Sequence, residues 1–154
     1  MAFFRSFKYA FAGLWYCIRT QRNFRFHTFA ALCAVILAYR YSLSQTEKLV
    51  LVFTIVFVLI SEMFNTAIES IVDMKTREFS PYAKIAKDVA AGSVLVSAFA
   101  ASATGLVLFY NGGQIWGIVL DYIKNPMFWL FMMAGLVYVS GILFKEKDVN
   151  TNGK

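Results

Sequence analysis

Residues 49–61 contain no charge, and apolar positions dominate from there to residue 72. Residues 24–41, 89–110 and 126–144 have the same character. A helix that crosses a bilayer needs about 20 predominantly apolar residues, so each of these four stretches is expected to be a transmembrane helix. Turn chemistry marks their limits. In "SLSQTEK" Ser44 or Thr46 can cap the second helix. In "MKTREFSPYAK" Pro81 disfavours helix at Ser80 and suits the first turn of the next one. "NGG" closes the third stretch, and Asn125 with Pro126 opens the fourth. Ahead of them all, Phe4, Phe7, Phe11, Leu14 and Ile18 recur at helical spacing, with Arg5, Lys8, Ala12, Arg19 and Arg22 on the other side. That pattern describes an amphipathic helix lying in the membrane interface, and "QIWGIVLDYIK" reads as a second one.

The expected fold is therefore all-α: a polytopic membrane helical bundle with an N-terminal interfacial amphipathic helix, three core transmembrane helices and a fourth. Residues 1–110 form the core domain, 111–145 an extra loop with the fourth helix, and 146–154 a flexible cytoplasmic tail. Composition agrees: 59% of the residues are hydrophobic, 16% are charged, and the mean hydropathy is +0.59. Scattered Arg and Lys in the first 25 residues, without a compact apolar core, argue against a cleaved signal peptide.

The net charge of +6 points to membrane orientation rather than to nucleic acid. With the N-terminus in the cytoplasm, all the basic residues except Arg40, Lys48 and Lys124 fall on cytoplasmic segments. The positive-inside rule then places both termini and the central loop on that side, where the excess draws anionic head groups. Cys17 and Cys33 have no metal or redox spacing and read as packing residues. His27, the only histidine, reads as an interfacial polar contact.

The candidate chemistry lies in the second span. In "SEMFNTAIESIVD" a helical advance of about 100° per residue projects Glu62, Asn65, Glu69 and Asp73 within a sector of roughly 80°. Glu62 and Glu69 then stand about 10 Å apart along the axis. An ionised carboxylate near mid-bilayer costs about 2.5–3.5 kcal/mol on insertion scales. Such a stripe persists only where it faces a partner, a metal or water, so it is read as a site. Lys84, Lys87 and Asp88 follow at the same membrane face. Carboxylates for a divalent cation and lysines for phosphate suit metal-dependent phosphate handling or a cation pathway. No phosphate-cradling glycine loop occurs.

"EMFNTAIESIVD" followed by "AKIAKDVAAGSVLV", with "SFKYAFAGL" and "RNFRFH" upstream, resembles the prokaryotic diacylglycerol kinase family, which includes the undecaprenol kinases. The resemblance runs from about Ser6 to Val107 and makes the core domain a membrane lipid kinase. It implies a multi-pass homotrimer in the cell membrane, with composite active sites at the cytoplasmic face. It also implies transfer of the γ-phosphoryl group from Mg-ATP to the hydroxyl of a membrane lipid. By position, Glu62 matches the family's catalytic base and Asn65 its supporting amide. Glu69 matches a ligand of Mg²⁺ and nucleotide, while Tyr9, Glu78, Lys87 and Asp88 match nucleotide contacts. Asp73 belongs to the same motif in a supporting role.

Some positions depart from the family pattern. Gln21 stands where a second metal-binding glutamate is expected. Arg5 is the nearest counterpart of an N-terminal arginine, and Ser80 replaces a histidine found in some members. The fourth span has no counterpart. "EFSPYAKIAKDVAAG" looks more like the undecaprenol kinases than the diacylglycerol kinases, with both lipids retained as acceptors. The alternatives are a family member that binds nucleotide without turnover and a non-catalytic, cation-binding membrane oligomer. Four spans return the chain to its starting side, so a reporter fused after Lys154 is expected to read cytoplasmic. An extracytoplasmic reading means that one span is misassigned.

Overall fold

A computed structural model of the chain describes residues 2–75, 80–110 and 114–141. Six helices account for the regular structure among the described residues: α1 (Ala2–Thr20), α2 (Arg22–Arg40), α3 (Gln45–Lys75), α4 (Pro81–Phe109), α5 (Gln114–Lys124) and α6 (Pro126–Ser140). The architecture is an all-α membrane helical bundle.

Local chemistry sets the helix limits. Gln21 is extended (φ −98°, ψ 110°) and breaks α1 from α2. Arg22 therefore opens α2 instead of continuing the polar face of α1. At the start of α3 the Ser44 N–H donates to Glu47 Oε2 (2.8 Å) and the Glu47 N–H donates to Ser44 Oγ (3.3 Å). This reciprocal capping box selects Ser44 over Thr46 as the cap. Ser80 caps α4 from an extended conformation, with Pro81 as the first helical residue. Asn125 Oδ1 accepts the Met127 N–H at 2.9 Å to start α6, and Gly141 ends it in the left-handed region at φ 72°.

α3 and α4, with 31 and 29 residues, are long and apolar enough to cross a membrane. They pair antiparallel. Asp73 near the end of α3 meets Lys87 near the start of α4, while Leu51 near the start of α3 packs with Phe109 at the end of α4. Ala38 of α2 and Leu43 complete that apolar cluster, and Tyr41 meets the Phe109 ring edge-on at 5.4 Å. Phe53, Phe57 and Phe64 on α3 and Phe99 and Val107 on α4 are exposed. That much apolar surface calls for cover by lipid or by another protein surface.

The fourth expected span is shorter than its apolar run suggests. Gly141 stops α6 after 15 residues, about 22 Å of rise, short of residue 144 and of a 30 Å hydrocarbon core. It lies antiparallel against α2, and just before it the Tyr122 ring of α5 stands 5.9 Å from the Arg40 guanidinium at the end of α2. Phe29 and Phe131 meet at 5.4 Å further along, and Thr28 and Tyr138 share a 3.0 Å hydrogen bond. Gly135 lets the helices close: a Cβ built there would lie 2.1 Å from the Phe29 ring. Gly135→Val is therefore expected to destabilise the chain by about 1–3 kcal/mol through overpacking. Thermal unfolding in detergent micelles checks this, and an unchanged midpoint would mean that α6 does not rest on α2.

Candidate active site

Halfway along α3, between apolar turns, Glu62 is only 1% exposed, and its Oε2 has no hydrogen-bond partner among the described residues. Asn65, one turn on, is also buried. Its Nδ2 donates to Glu69 Oε1 at 3.0 Å, which leaves Asn65 Oδ1 without a partner. Two buried acceptor atoms thus lie on the same face of one helix. A buried polar atom left unpaired costs about 1–3 kcal/mol, so the arrangement works against stability unless something arrives to use it.

The surroundings hold these groups in place. The Thr66 hydroxyl donates to the Glu62 carbonyl oxygen at 2.9 Å, and the Ser61 hydroxyl to Phe57 O at 2.9 Å. These back-bonds turn the small polar side chains onto their own helix. From α1, Cys17 packs over the stripe at 5% exposure, against the Thr66 hydroxyl and near the Glu62 carboxyl group. Burial pushes the Cys17 thiol above its ordinary range; the Thr66 contact lowers it, and the Glu62 charge raises it further. Cys17 is thus an inert packing residue, as its sequence setting suggested.

Toward the end of α3 the stripe reaches water. Glu69 is half-buried and Asp73 is exposed. Asp73 Oδ1 accepts from Lys87 Nζ at 2.5 Å, and Lys84 pairs with Asp88 at the same distance. Lys87 and Asp88 therefore stand in two separate ion pairs beside one another, and Asp73 aims the Lys87 ammonium back toward α3. Both pairs are well exposed, so each contributes only about 0.2–1 kcal/mol.

The remaining predicted residues lie farther out. Arg5 and Tyr9 are exposed, one turn apart on α1, with Tyr9 at 69%. Gln21 sits at the break between α1 and α2, and its Nε2 donates to Thr20 Oγ1 at 3.3 Å. No hydrogen bond joins Gln21 to Glu69 among the described residues. Glu78 lies outside the described residues. Two residues to which the sequence reading gave no part in the site also belong here. Cys17 seals the stripe, and Arg25, 5% exposed, ties the α1–α2 junction together. An ionisable residue one step inside an apolar span was the signal available for Arg25.

The sequence model of the prokaryotic diacylglycerol kinases matches residues 8–109, from α1 to the last turn of α4. The chain belongs to the prokaryotic diacylglycerol kinase family. It is 46% identical over 101 residues to a Synechocystis protein named diacylglycerol kinase, a match covering 65% of this chain and 58% of that protein. It is 42% identical over 107 residues to the undecaprenol kinase of Bacillus subtilis, covering 70% and 87%. The Escherichia coli diacylglycerol kinase is 28% identical over 103 residues, covering 67% and 84%. No solved structure matches the chain. The whole buried stripe lies inside the prokaryotic diacylglycerol kinase match, whereas α5 and α6 lie beyond it.

Phosphoryl transfer commonly places a divalent cation on the phosphates, and a cation that arrives with phosphate needs few protein ligands. Among the described residues no three His, Cys, Asp or Glu side chains gather into a cage. Mg²⁺ commonly takes only one or two protein carboxylates, with phosphates and waters completing its shell. Glu69 can supply such a carboxylate; the neutral Gln21 amide, which donates to Thr20 Oγ1, is the second oxygen donor expected from the sequence. Adding a charge at that position is expected to matter. Two unit charges at 4 Å interact by about 4 kcal/mol at an effective dielectric near 20, before desolvation offsets much of it. Gln21→Glu is therefore expected to lower the Mg²⁺ concentration for half-maximal activity about tenfold, and Glu69→Gln to raise it or abolish activity. A Mg²⁺ titration that moves with Glu69→Gln but not with Gln21→Glu removes Gln21 from the metal.

Proposed function

We propose that the chain is a lipid kinase that transfers the γ-phosphoryl group of Mg-ATP to the hydroxyl of a membrane lipid at the cytoplasmic face of the cell membrane. The family and the long apolar helices α3 and α4 make the chain a membrane protein of a lipid-kinase family, and phosphoryl transfer at membrane depth is the finer reading. The observation that carries the finer one is the unpartnered Glu62 Oε2 inside the bundle, with the Asn65 oxygen one turn away. A lipid alcohol reaches an enzyme from within the membrane, so its base must stand at membrane depth.

In this reading Glu62 Oε2 takes the proton of the lipid hydroxyl as the oxygen attacks the γ-phosphorus. The new O–P bond forms as the bond between the γ-phosphorus and the β–γ bridging oxygen breaks, and ADP leaves with that oxygen. Asn65 Oδ1 helps to orient the hydroxyl, while Asn65 Nδ2 keeps the Glu69 carboxylate turned along the helix. Mg²⁺ held at Glu69 would neutralise charge on the phosphate oxygens. Lys87, held by Asp73, supplies a point cation for the phosphates, with Arg5, Tyr9, Glu78 and Asp88 as further nucleotide contacts. The exposure of Tyr9 and Arg5 suits a site completed by a neighbouring copy in a homotrimer.

Undecaprenol and diacylglycerol both present a hydroxyl at the end of a long apolar body. We favour undecaprenol on the sequence stretch "EFSPYAKIAKDVAAG", the comparisons pointing both ways, with 42% identity to an undecaprenol kinase and 46% to a diacylglycerol kinase. Turnover measured side by side in the same micelles separates them: faster transfer to diacylglycerol reverses the preference. Glu62→Gln keeps shape and hydrogen bonding but cannot accept the proton. It is expected to lower turnover by about 10²–10⁴-fold, with insertion into the membrane intact. Turnover above a tenth of the unsubstituted chain's removes Glu62 from the role of base.

A further inference from the structure

Arg25 is a charged residue at 5% exposure, and its guanidinium bonds to two neighbouring helices. It sits on α2. Its Nη1 donates to Ile18 O at 3.1 Å and to Arg19 O at 3.0 Å, the last carbonyls of α1. Its Nε donates to Val139 O at 3.3 Å, in the last turn of α6. The guanidinium also fills the space beside Gly141, where a Cβ would lie 2.4 Å from Nη2. The C-terminal end of a helix carries partial negative charge and unpaired carbonyls. A planar fork with five donors can satisfy two such ends at once, which a lysine cannot.

The consequence follows from what α1 carries. Cys17, one residue before Ile18, is the side chain that seals the Glu62–Thr66 face, and Gln21 follows two residues after Arg19. The residues from α5 onward lie beyond the family match, yet α6 docks on α2 through Gly135 against Phe29 and Tyr138 on Thr28. From this we infer that Arg25 is a positioning residue through which the appended helix α6 fixes the seat of α1 over the buried carboxylate stripe. Arg25 touches no substrate in this assignment; it acts by holding the end of α1, and α6 holds Arg25. The kinetic consequence rests on the lipid-kinase reading, whereas the structural one does not.

The buried thiol supplies a direct readout. In a Cys33→Ala chain, Cys17 is the sole cysteine, and its alkylation by a maleimide in micelles reports whether α1 lifts from α3. Arg25→Met and Gly135→Val are each expected to speed that alkylation about tenfold, the equivalent of losing one hydrogen bond to a charged group. Combined, they should do little more than the larger single change, because both act through one clamp. Arg25→Lys should fall between the unsubstituted chain and Arg25→Met. Should Gly135→Val fail to insert, Tyr138→Phe removes the bond to Thr28 without added bulk and should shift alkylation in the same direction.

Alkylation that is unchanged in Arg25→Met overturns the clamp. Alkylation raised by Arg25→Met but by neither α6 substitution overturns the part assigned to α6. In turnover assays Gly135→Val is expected to raise KM for Mg-ATP while kcat per folded protein holds; a fall in kcat with KM unchanged contradicts positioning of the nucleotide side. The alkylation readout needs no catalysis, so a chain that never turned over would still test the clamp.

Discussion

Glu62 is held at 1% exposure midway along an apolar helix, and the rest of the structure has to accommodate that one carboxyl group. At mid-bilayer its charge costs about 2.5–3.5 kcal/mol on insertion scales, and an unpaired buried polar atom costs about 1–3 kcal/mol. Nothing nearby offsets this in full. The Thr66 and Ser61 hydroxyls turn back onto their own helix, and Asn65 gives its amide hydrogen to Glu69. The ion pairs at the end of the stripe are too exposed to balance the cost. Stability is recovered elsewhere, chiefly where α3 packs against α4 and in the apolar cluster of Ala38, Leu43, Leu51 and Phe109.

This division gives the bundle two unlike ends. One is closed by the apolar cluster in which Tyr41 meets Phe109 edge-on, with the Tyr41 hydroxyl buried and without a partner among the described residues. The other gathers the polar groups: the α1–α2 junction, the second half of α3 and the first turns of α4. α1 lies over this polar end with Cys17 inward and Tyr9 outward, so one helix both seals the carboxylate and offers exposed groups to whatever binds there. Stability and function therefore pull on the same helix.

Much of this was legible along the chain, for identifiable reasons. The uncharged run 49–61 and the caps at Ser44, Ser80 and Asn125 are local features, and helix placement followed them. The stripe of Glu62, Asn65, Glu69 and Asp73 was legible because helical periodicity fixes which residues share a face. What periodicity does not report is which faces meet. Arg25 counted in the sequence as one cytoplasmic positive charge, and only the approach of α1 and α6 makes it a clamp. The break between α1 and α2 was legible to within about two residues, because the amphipathic face runs out at Arg22 and the apolar run begins at Phe24, whereas the apolar run after Pro126 did not foretell that Gly141 would end α6. Glu78 lies outside the described residues.

In the proposed reaction the buried stripe moves phosphate onto a lipid. The most direct measurement supplies the purified chain in micelles with Mg²⁺, ATP labelled at the γ-phosphate and either undecaprenol or diacylglycerol, and then follows the label into the organic phase. Label is expected in the lipid fraction, dependent on the added alcohol and on Mg²⁺. Nucleotide binding with no label in either lipid would contradict the proposed reaction, and would leave a protein that keeps the site without the reaction.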